Sequence, residues 1–439
     1  MVAERPDHPP LPKIVIRFPA IIGLLYLGVV ARGDDFDRAP IRYSESKPSN
    51  SISQLQKRID AGEAKLSFTD DHGYLSAVLK ELKIPVSSQM LVFSKTSLQR
   101  DRISPRTPRA LYFNDDVHIG FCRLGEVVEV SVADPKLGTV FYTLPQEPSE
   151  KPQFKRQTDN CLICHTSRGQ GIPAHVVRSV YTDRDGQPVL GEGSFRIDHS
   201  SPLHHRWGGW YVTGTHGSQT HLGNFIVPRR PEPRDLKNES GLNVADLKGR
   251  IDAGHYLSTH SDLIALMVLE HQCEMHNRIT AANYQTVLAH RDADVMNELD
   301  NAPKGKLTES TARRVDGAAE QLVEYLLFHE EIKLSEPLRG TSGFAEEFAK
   351  RGPRDKQGRS LRDFDLKTRL FKYPCSYLIY TDSFDALPSS VKERIYRRLW
   401  DVLSGKDQRK EYAHLSEVDR RAIREILIDT KPGLPSYWK

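Results

Sequence analysis

The chain has 439 residues, with 62 Lys and Arg against 58 Asp and Glu and a formal net charge of +4. This length exceeds that of one small domain. The balance of charges excludes the basic field by which nucleic-acid-binding proteins hold their ligand, so no nucleic-acid partner is expected.

The first 31 residues predict an export signal. Residues 1–17 carry a net charge of +1, and Phe18 to Ala31 then run fourteen residues without a charge, ending Val29-Val30-Ala31. This order is typical of a secretory signal peptide. Fourteen residues fall short of the ~20 that cross a bilayer as a helix. An uncleaved N-terminal anchor is the alternative, and contact with a membrane is expected only through it.

Residues 32–90 are predicted to form an N-terminal arm followed by two helices, Ile52 to Ala61 and Tyr74 to Leu82. In the second helix the apolar residues recur at helical spacing. From Leu91 the period changes, and short runs rich in β-branched and aromatic residues alternate with turn residues. The runs lie at 110–113, 117–121, 127–132 and 139–144. The sequence therefore predicts a β-meander ahead of residue 161.

The next feature is the run Cys161-Leu162-Ile163-Cys164-His165. Two cysteines separated by two residues and followed by histidine form the attachment pattern for c-type haem. Thiols one helical turn apart can each add to a vinyl group of one porphyrin, and the following imidazole becomes the proximal iron ligand. A thioredoxin-like pair and half of a zinc site are the alternatives. A thioredoxin-like pair requires a strand before it and a long helix after it, and the sequence around the run predicts neither. A zinc site requires another pair of Cys or His ligands, and the chain has no further C-x-x-C.

These five residues resemble the motif of the cytochrome c superfamily, and the resemblance extends no further along the chain. It implies one covalent haem c with its iron, held by Cys161, Cys164 and His165. Because bacterial c-type haem is attached outside the cytoplasm, it also implies a periplasmic protein. The other three cysteines, Cys122, Cys273 and Cys375, are predicted to be buried small side chains, with one disulfide among them as the alternative.

Five of the seventeen histidines fall between residues 199 and 221, around Arg206, Trp207 and Trp210. Glycines beside the tryptophans allow a flat group to approach the backbone. The Arg and Trp N–H groups are suitable donors for haem propionates. We therefore expect these three residues in the haem pocket, with a glycine-flanked strand carrying solvent histidines as the alternative.

Residues 228–241 are rich in proline and charge, and they predict a boundary before a helical domain at 241–439. A capping box at Thr259 to Asp262 predicts a helix running to about His290. Further helices are predicted at 315–333 and from caps at 390–393 and 416–419, with a charged loop at 350–362. The fold class is α+β, in which a β-rich part at 91–230 carries the motif and a mainly α-helical part follows.

The second axial ligand of the iron decides the function. A stripe along the helix from Thr259 combines His and Met, and the histidine-rich stretch adds others: the candidates are Met267, Met275, His271, His216 and His221. A six-coordinate iron passes electrons, whereas an open position can activate a small molecule. Electron transfer to a redox partner protein or small redox substrate is the favoured function. The alternative is a peroxidase-like haem enzyme with Glu270 and His271 as acid and base.

Overall fold

The segment before the Cys161–His165 run folds as a six-stranded antiparallel sheet in which every strand pairs with its neighbour in sequence. The computed structural model describes residues 35–167, 171–228 and 238–438. The predicted export segment and residues 229–237 of the predicted boundary lie outside the described residues. The strands of this sheet are Met90–Val92 (β1), Arg109–Phe113 (β2), Val117–Phe121 (β3), Val127–Asp134 (β4), Gly138–Pro145 (β5) and Lys155–Gln157 (β6).

The alternation of β4 fixes which face of the sheet is buried. Val128, Val130 and Val132 are buried, whereas the residues between them are partly exposed. A one-residue slip in register would turn these three side chains outward. The turn into β5 depends on Gly138, whose φ of +68° lies in the left-handed region and whose missing Cβ leaves room for Thr280. The predicted meander is confirmed.

Short paired strands follow the motif. Thr166–Ser167 (β7) pairs with Ile172–Pro173 (β8), and Arg178–Val180 (β9) pairs with Ser194–Arg196 (β10). Between β9 and β10, Asp183 accepts hydrogen bonds from two backbone N–H groups of the following turn. The stretch Asp183-Arg184-Asp185-Gly186 thus forms a turn, and the carboxylate of Asp183 accepts hydrogen bonds from the backbone of that turn.

The remaining regular structure is helical and lies mostly in the second half of the chain. The helices are Ser51–Asp60 (α1), Leu75–Glu81 (α2), Asn160–His165 (α3), Leu263–Leu299 (α4), Glu309–Leu326 (α5), Phe344–Lys350 (α6), Asp382–Asp385 (α7), Ser389–Leu403 (α8) and Glu417–Thr430 (α9). The mixed α+β class is confirmed. None of these helices, within the part of the chain that is described, has the length and apolarity needed to span a bilayer.

The caps predicted for α4 and α8 are wrong. Helix α8 begins at Ser389 after Pro388, which makes no side-chain cap hydrogen bond, so the predicted cap at 390–393 does not form. Helix α4 begins after Asp262, whose carboxylate accepts hydrogen bonds from the N–H groups of Ile264 and Ala265. Thr259 does not act as the cap. The helix continues nine residues beyond His290, because neither Gly nor Pro interrupts it before Pro303. Helix α9 does begin with the predicted capping box between Ser416 and Asp419.

Helix α4 is the central element of the fold. Along 263–273 every residue is buried, which is the pattern of a helix covered on all sides. It packs against β5 on one side and α5 on another. Ala281 and Tyr284 join the core beneath the sheet, whereas Leu266 and Leu269 join the core among the helices. Side chains on α4 can therefore meet residues from both halves of the chain.

Candidate functional site

The Cys-x-x-Cys-His motif at 161–165 lies in a six-residue helix, Asn160–His165, between β6 and β7. Asp159 caps α3, and Leu162 is buried in the core beneath the sheet, which fixes the helix on the protein. Cys161 is half-buried and Cys164 is exposed. Residues three apart on a helix are neighbours on one face, so the two thiols lie one turn apart and Cys164 is open to solvent.

The imidazole of His165 is oriented by a backbone carbonyl. Its Nδ1–H donates to the oxygen of Ala174 at 3.1 Å, and the N–H of Ala174 donates back to the oxygen of His165 at 2.7 Å. A carbonyl oxygen only accepts, so this contact places the proton on Nδ1. Nε2 then carries the lone pair, and no hydrogen bond engages it among the described residues. A metal-binding histidine is held in this way.

The electrostatics of Cys161 distinguish the motif from a redox dithiol. Burial, together with the charges of Glu129 and Asp159, raises the pKa of Cys161 to about 11, and the charge of Arg109 opposes this rise. Thioredoxin-like pairs depend on a lowered cysteine pKa at the start of a long helix. The high pKa and the shortness of α3 disfavour that alternative. Within residues 35–167, 171–228 and 238–438, no grouping of three metal-ligating side chains includes Cys161 or Cys164.

A second group of reactive side chains lies in the interior behind the motif. We call His118, His175 and Cys273 the interior His/Cys cluster. His118 is on β3, His175 follows β8, and Cys273 is on α4. One potential ligand atom from each lies within 4.8 Å of the others, and all three residues are buried. The cluster adjoins the motif because Ala174, the hydrogen-bond partner of His165, directly precedes His175.

Burial keeps the cluster uncharged. It lowers the pKa of His118 to about 3 and holds the pKa of His175 well below its ordinary value, in each case with help from a neighbouring histidine. It also raises the pKa of the Cys273 thiol. Neutral imidazoles beside a protonated thiol are the state expected of these groups in an apolar interior.

The sequence offered little signal for this cluster. His118 lies in a predicted strand, Cys273 is predicted to be a small buried side chain, and His276, adjacent to Met275, falls off the His/Met stripe of the helix. His276 does point elsewhere, since its Nε2–H donates to the oxygen of Asp115 beside the sheet. A Cys and a His at i, i+3 on α4 was the one local hint, because such residues share a face.

The residues predicted to bind haem propionates are engaged within the protein. Arg206 and Trp207 both donate to the carboxylate of Glu270 on α4, with Arg206 Nη1 at 2.7 Å from Glu270 Oε2. Arg206 donates also to two backbone oxygens, and Trp210 Nε1 donates to the oxygen of Arg178. A role at propionates stays a prediction, and it requires these donors to leave buried partners.

The candidate axial ligands are buried in other parts of the fold. His271 hydrogen-bonds to His199 through one ring nitrogen and to Ser376 through the other, at 2.9 Å and 2.8 Å. His216 and His221 pack edge to face with ring centroids 4.7 Å apart. Met267 and Met275 belong to the helical core. Among the described residues, none of the five is a hydrogen-bond or ring partner of His165. The ring of His165 packs against that of Phe141, with 4.8 Å between the ring centroids.

The described geometry thus offers two chemistries. The surface motif presents two free thiols and an imidazole with an open nitrogen, and the interior cluster presents two imidazoles and a thiol. No protein-family model, characterised protein or solved structure matches this chain.

Proposed function

We propose that this protein carries one haem c, linked by thioethers to Cys161 and Cys164 with His165 as the proximal iron ligand, and that it transfers single electrons. The observation that carries the proposal is the hydrogen bond from His165 Nδ1 to the Ala174 carbonyl, which leaves Nε2 open. When bound, haem iron supplies one-electron chemistry. The roles of the protein residues follow from the fold around α3.

The exposed face of α3 fits an attached porphyrin. Cys164 is exposed, and the side chain of Ile163 is 78% exposed although it is large and apolar. Two thioether bonds at positions 161 and 164 would bring an apolar ring to this face and cover Ile163. Leu162, on the buried side, holds the helix against the sheet.

The residues around the motif also set the basicity of the ligand. The carbonyl of Ala174 fixes the ring of His165 and increases its donation to a metal, as outer partners of metal-bound histidines do. Arg109 and Glu129 form an ion pair of 2.6 Å beside the motif and lie partly exposed. Their opposite charges leave little net field on the ligand.

The proposal includes an exported, periplasmic protein, with the predicted signal or anchor at residues 1–31 as its support. The expected partner is a redox protein or a small redox substrate. The exposed position of Cys164 supports this, since electron transfer between proteins requires a cofactor near the surface. Electron transfer is preferred over the peroxidase-like alternative because Glu270 and His271 are fully buried and hydrogen-bonded to other side chains.

Covalent attachment is tested by expressing the full chain with an export signal in a bacterium that matures c-type cytochromes. We expect a mass increase of one haem and a peroxidase-stained band on a denaturing gel. Cys161→Ala with Cys164→Ala should abolish both, because neither thioether can form. Cys375→Ala is the matched control, since Cys375 is a buried cysteine away from the motif. A wild-type product with the bare peptide mass would contradict the proposal.

Absorption spectra of the matured protein separate electron transfer from catalysis. We expect low-spin, six-coordinate ferric and ferrous spectra that cyanide leaves unchanged on mixing, because an electron carrier keeps both axial positions filled. A sulfur-to-iron charge-transfer band would identify Met267 or Met275, and its absence would leave the histidine candidates. A high-spin ferric spectrum with rapid cyanide binding would instead support the haem enzyme.

A further inference from the structure

We infer that the interior His/Cys cluster is a second metal site, which binds one zinc or copper ion through His118, His175 and Cys273. The inference concerns the interior of the protein and does not depend on haem attachment at α3. Three observations support it: the ligand set, the unpartnered nitrogens and the outer hydrogen bonds.

The ligand set selects the class of metal. Two imidazoles and one thiolate suit zinc and copper, whereas magnesium and calcium prefer oxygen ligands. The thiol of Cys273 would lose its proton on binding, and the thiolate would offset one of the two positive charges of the ion in this buried place. His118 and Cys273 are already within 3.8 Å of each other between Nε2 and Sγ.

The polar atoms of the cluster are incompletely satisfied. His175 Nε2 and His118 Nδ1 are buried without a hydrogen-bond partner, and so is Nδ1 of the neighbouring His276. A buried polar nitrogen without a partner destabilises the folded state, so several in one place need an explanation. A metal ion would remove the cost at His175 directly, because Nε2 is its free nitrogen.

The outer contacts resemble those around metal-bound histidines. His175 contacts the hydroxyl of Ser131 through Nδ1 at 3.3 Å, which leaves Nε2 for a ligand. Asn277 holds the backbone of His175 through two hydrogen bonds of 2.9 Å. Ligand rings are commonly fixed by a second partner on the opposite nitrogen. The contact of Gln272 Nε2 with His118 Nε2, at 3.2 Å, must be released if His118 binds through that nitrogen.

The required movement is small. The donor atoms lie within 4.8 Å of one another. Bonds of ~2.0–2.3 Å to zinc place tetrahedral ligands roughly 3.3–3.8 Å apart, so a side-chain approach of about 1 Å closes the site. His276, whose ring centroid lies 5.8 Å from that of His175, is the nearest further imidazole, and water is the alternative fourth ligand.

The test measures metals on the full-length chain produced in medium containing zinc and copper. Elemental analysis should find one zinc or copper ion per chain in addition to any haem iron. X-ray absorption at the edge of that metal should show sulfur and imidazole nitrogen, and haem iron does not contribute to this signal. Absence of both metals, or a ligand shell of oxygen and nitrogen alone, would overturn the inference.

Variants locate the metal. Cys273→Ser and His175→Gln should lose the ion, whereas Cys375→Ser, another buried cysteine, should keep it. If Cys273→Ser does not fold, the pair His175→Gln and Cys375→Ser decides the result. The chain with Cys161→Ser and Cys164→Ser should also keep the ion. Loss of metal from that chain, with retention in His175→Gln, would place the site at the motif and contradict the interior location.

Discussion

Replacing Arg206 with methionine should destabilise the protein by about 3–5 kcal/mol, which is the cost of removing one partner of a buried ion pair and leaving the other charge uncompensated. Arg206 and Glu270 have side chains that are 1% and 0% exposed, with 2.7 Å between Nη1 and Oε2. Without the guanidinium, the carboxylate keeps only Trp207 as a side-chain donor. The measurement is the urea midpoint of the haem-free and haem-loaded chain.

The loss of stability in Arg206→Met should depend on pH. Burial raises the pKa of Glu270 to about 7 while Arg206 lowers it, so the variant should hold this carboxyl protonated to a higher pH. When a carboxyl has a higher pKa in the folded than in the unfolded protein, the protein becomes less stable as the pH rises from the unfolded-state pKa through the folded-state pKa. The destabilisation should therefore be larger at pH 8 than at pH 5.

The matched control for this variant is Arg313→Met, which breaks an exposed helical pair with Glu309 and should change stability little. Haem-free and haem-loaded protein should lose the same stability in Arg206→Met. If only the haem-loaded protein were affected, Arg206 would be acting on haem propionates as the sequence suggested, and the structural role described above would be wrong.

Asp262→Ala should produce the other large effect, a loss of about 2–4 kcal/mol. One carboxylate oxygen accepts from the N–H groups of Ile264 and Ala265, and the other accepts from Thr341 and Ser342. Alanine leaves these donors buried and unpaired, which adds about 1–3 kcal/mol for an unsatisfied buried group to the ~1 kcal/mol of a lost helix cap. Urea denaturation measures it directly.

Ser416→Ala is the comparison, since Ser416 caps α9 at an exposed position and should cost about 1 kcal/mol. Asp262→Asn should fall between the two, because the amide keeps one acceptor and loses the charge. Equal losses for Asp262→Ala and Ser416→Ala would show that the contacts with residues 341 and 342 add nothing.

Local features of the sequence determined much of this protein. The alternation of apolar residues specified β2 to β5, the helical stripe specified α2, and the Ser416 capping box specified the start of α9. The spacing of Cys161, Cys164 and His165 predicts haem attachment, and that prediction rests on the sequence. Each of these patterns depends on residues within one or two turns or strands, where geometry follows directly from sequence spacing.

Tertiary structure alone decided how distant residues meet. Arg206 and Trp207 donate to Glu270 of α4, which lies 64 and 63 residues further along the chain, and their sequence neighbourhood gave no indication of that partner. His118 and Cys273 are 155 residues apart, and the packing of α4 on the sheet places them in contact. Periodicity reports which face of an element is buried, but not which element covers it, so the meeting of His118 and His175 with Cys273 could not be predicted from the sequence.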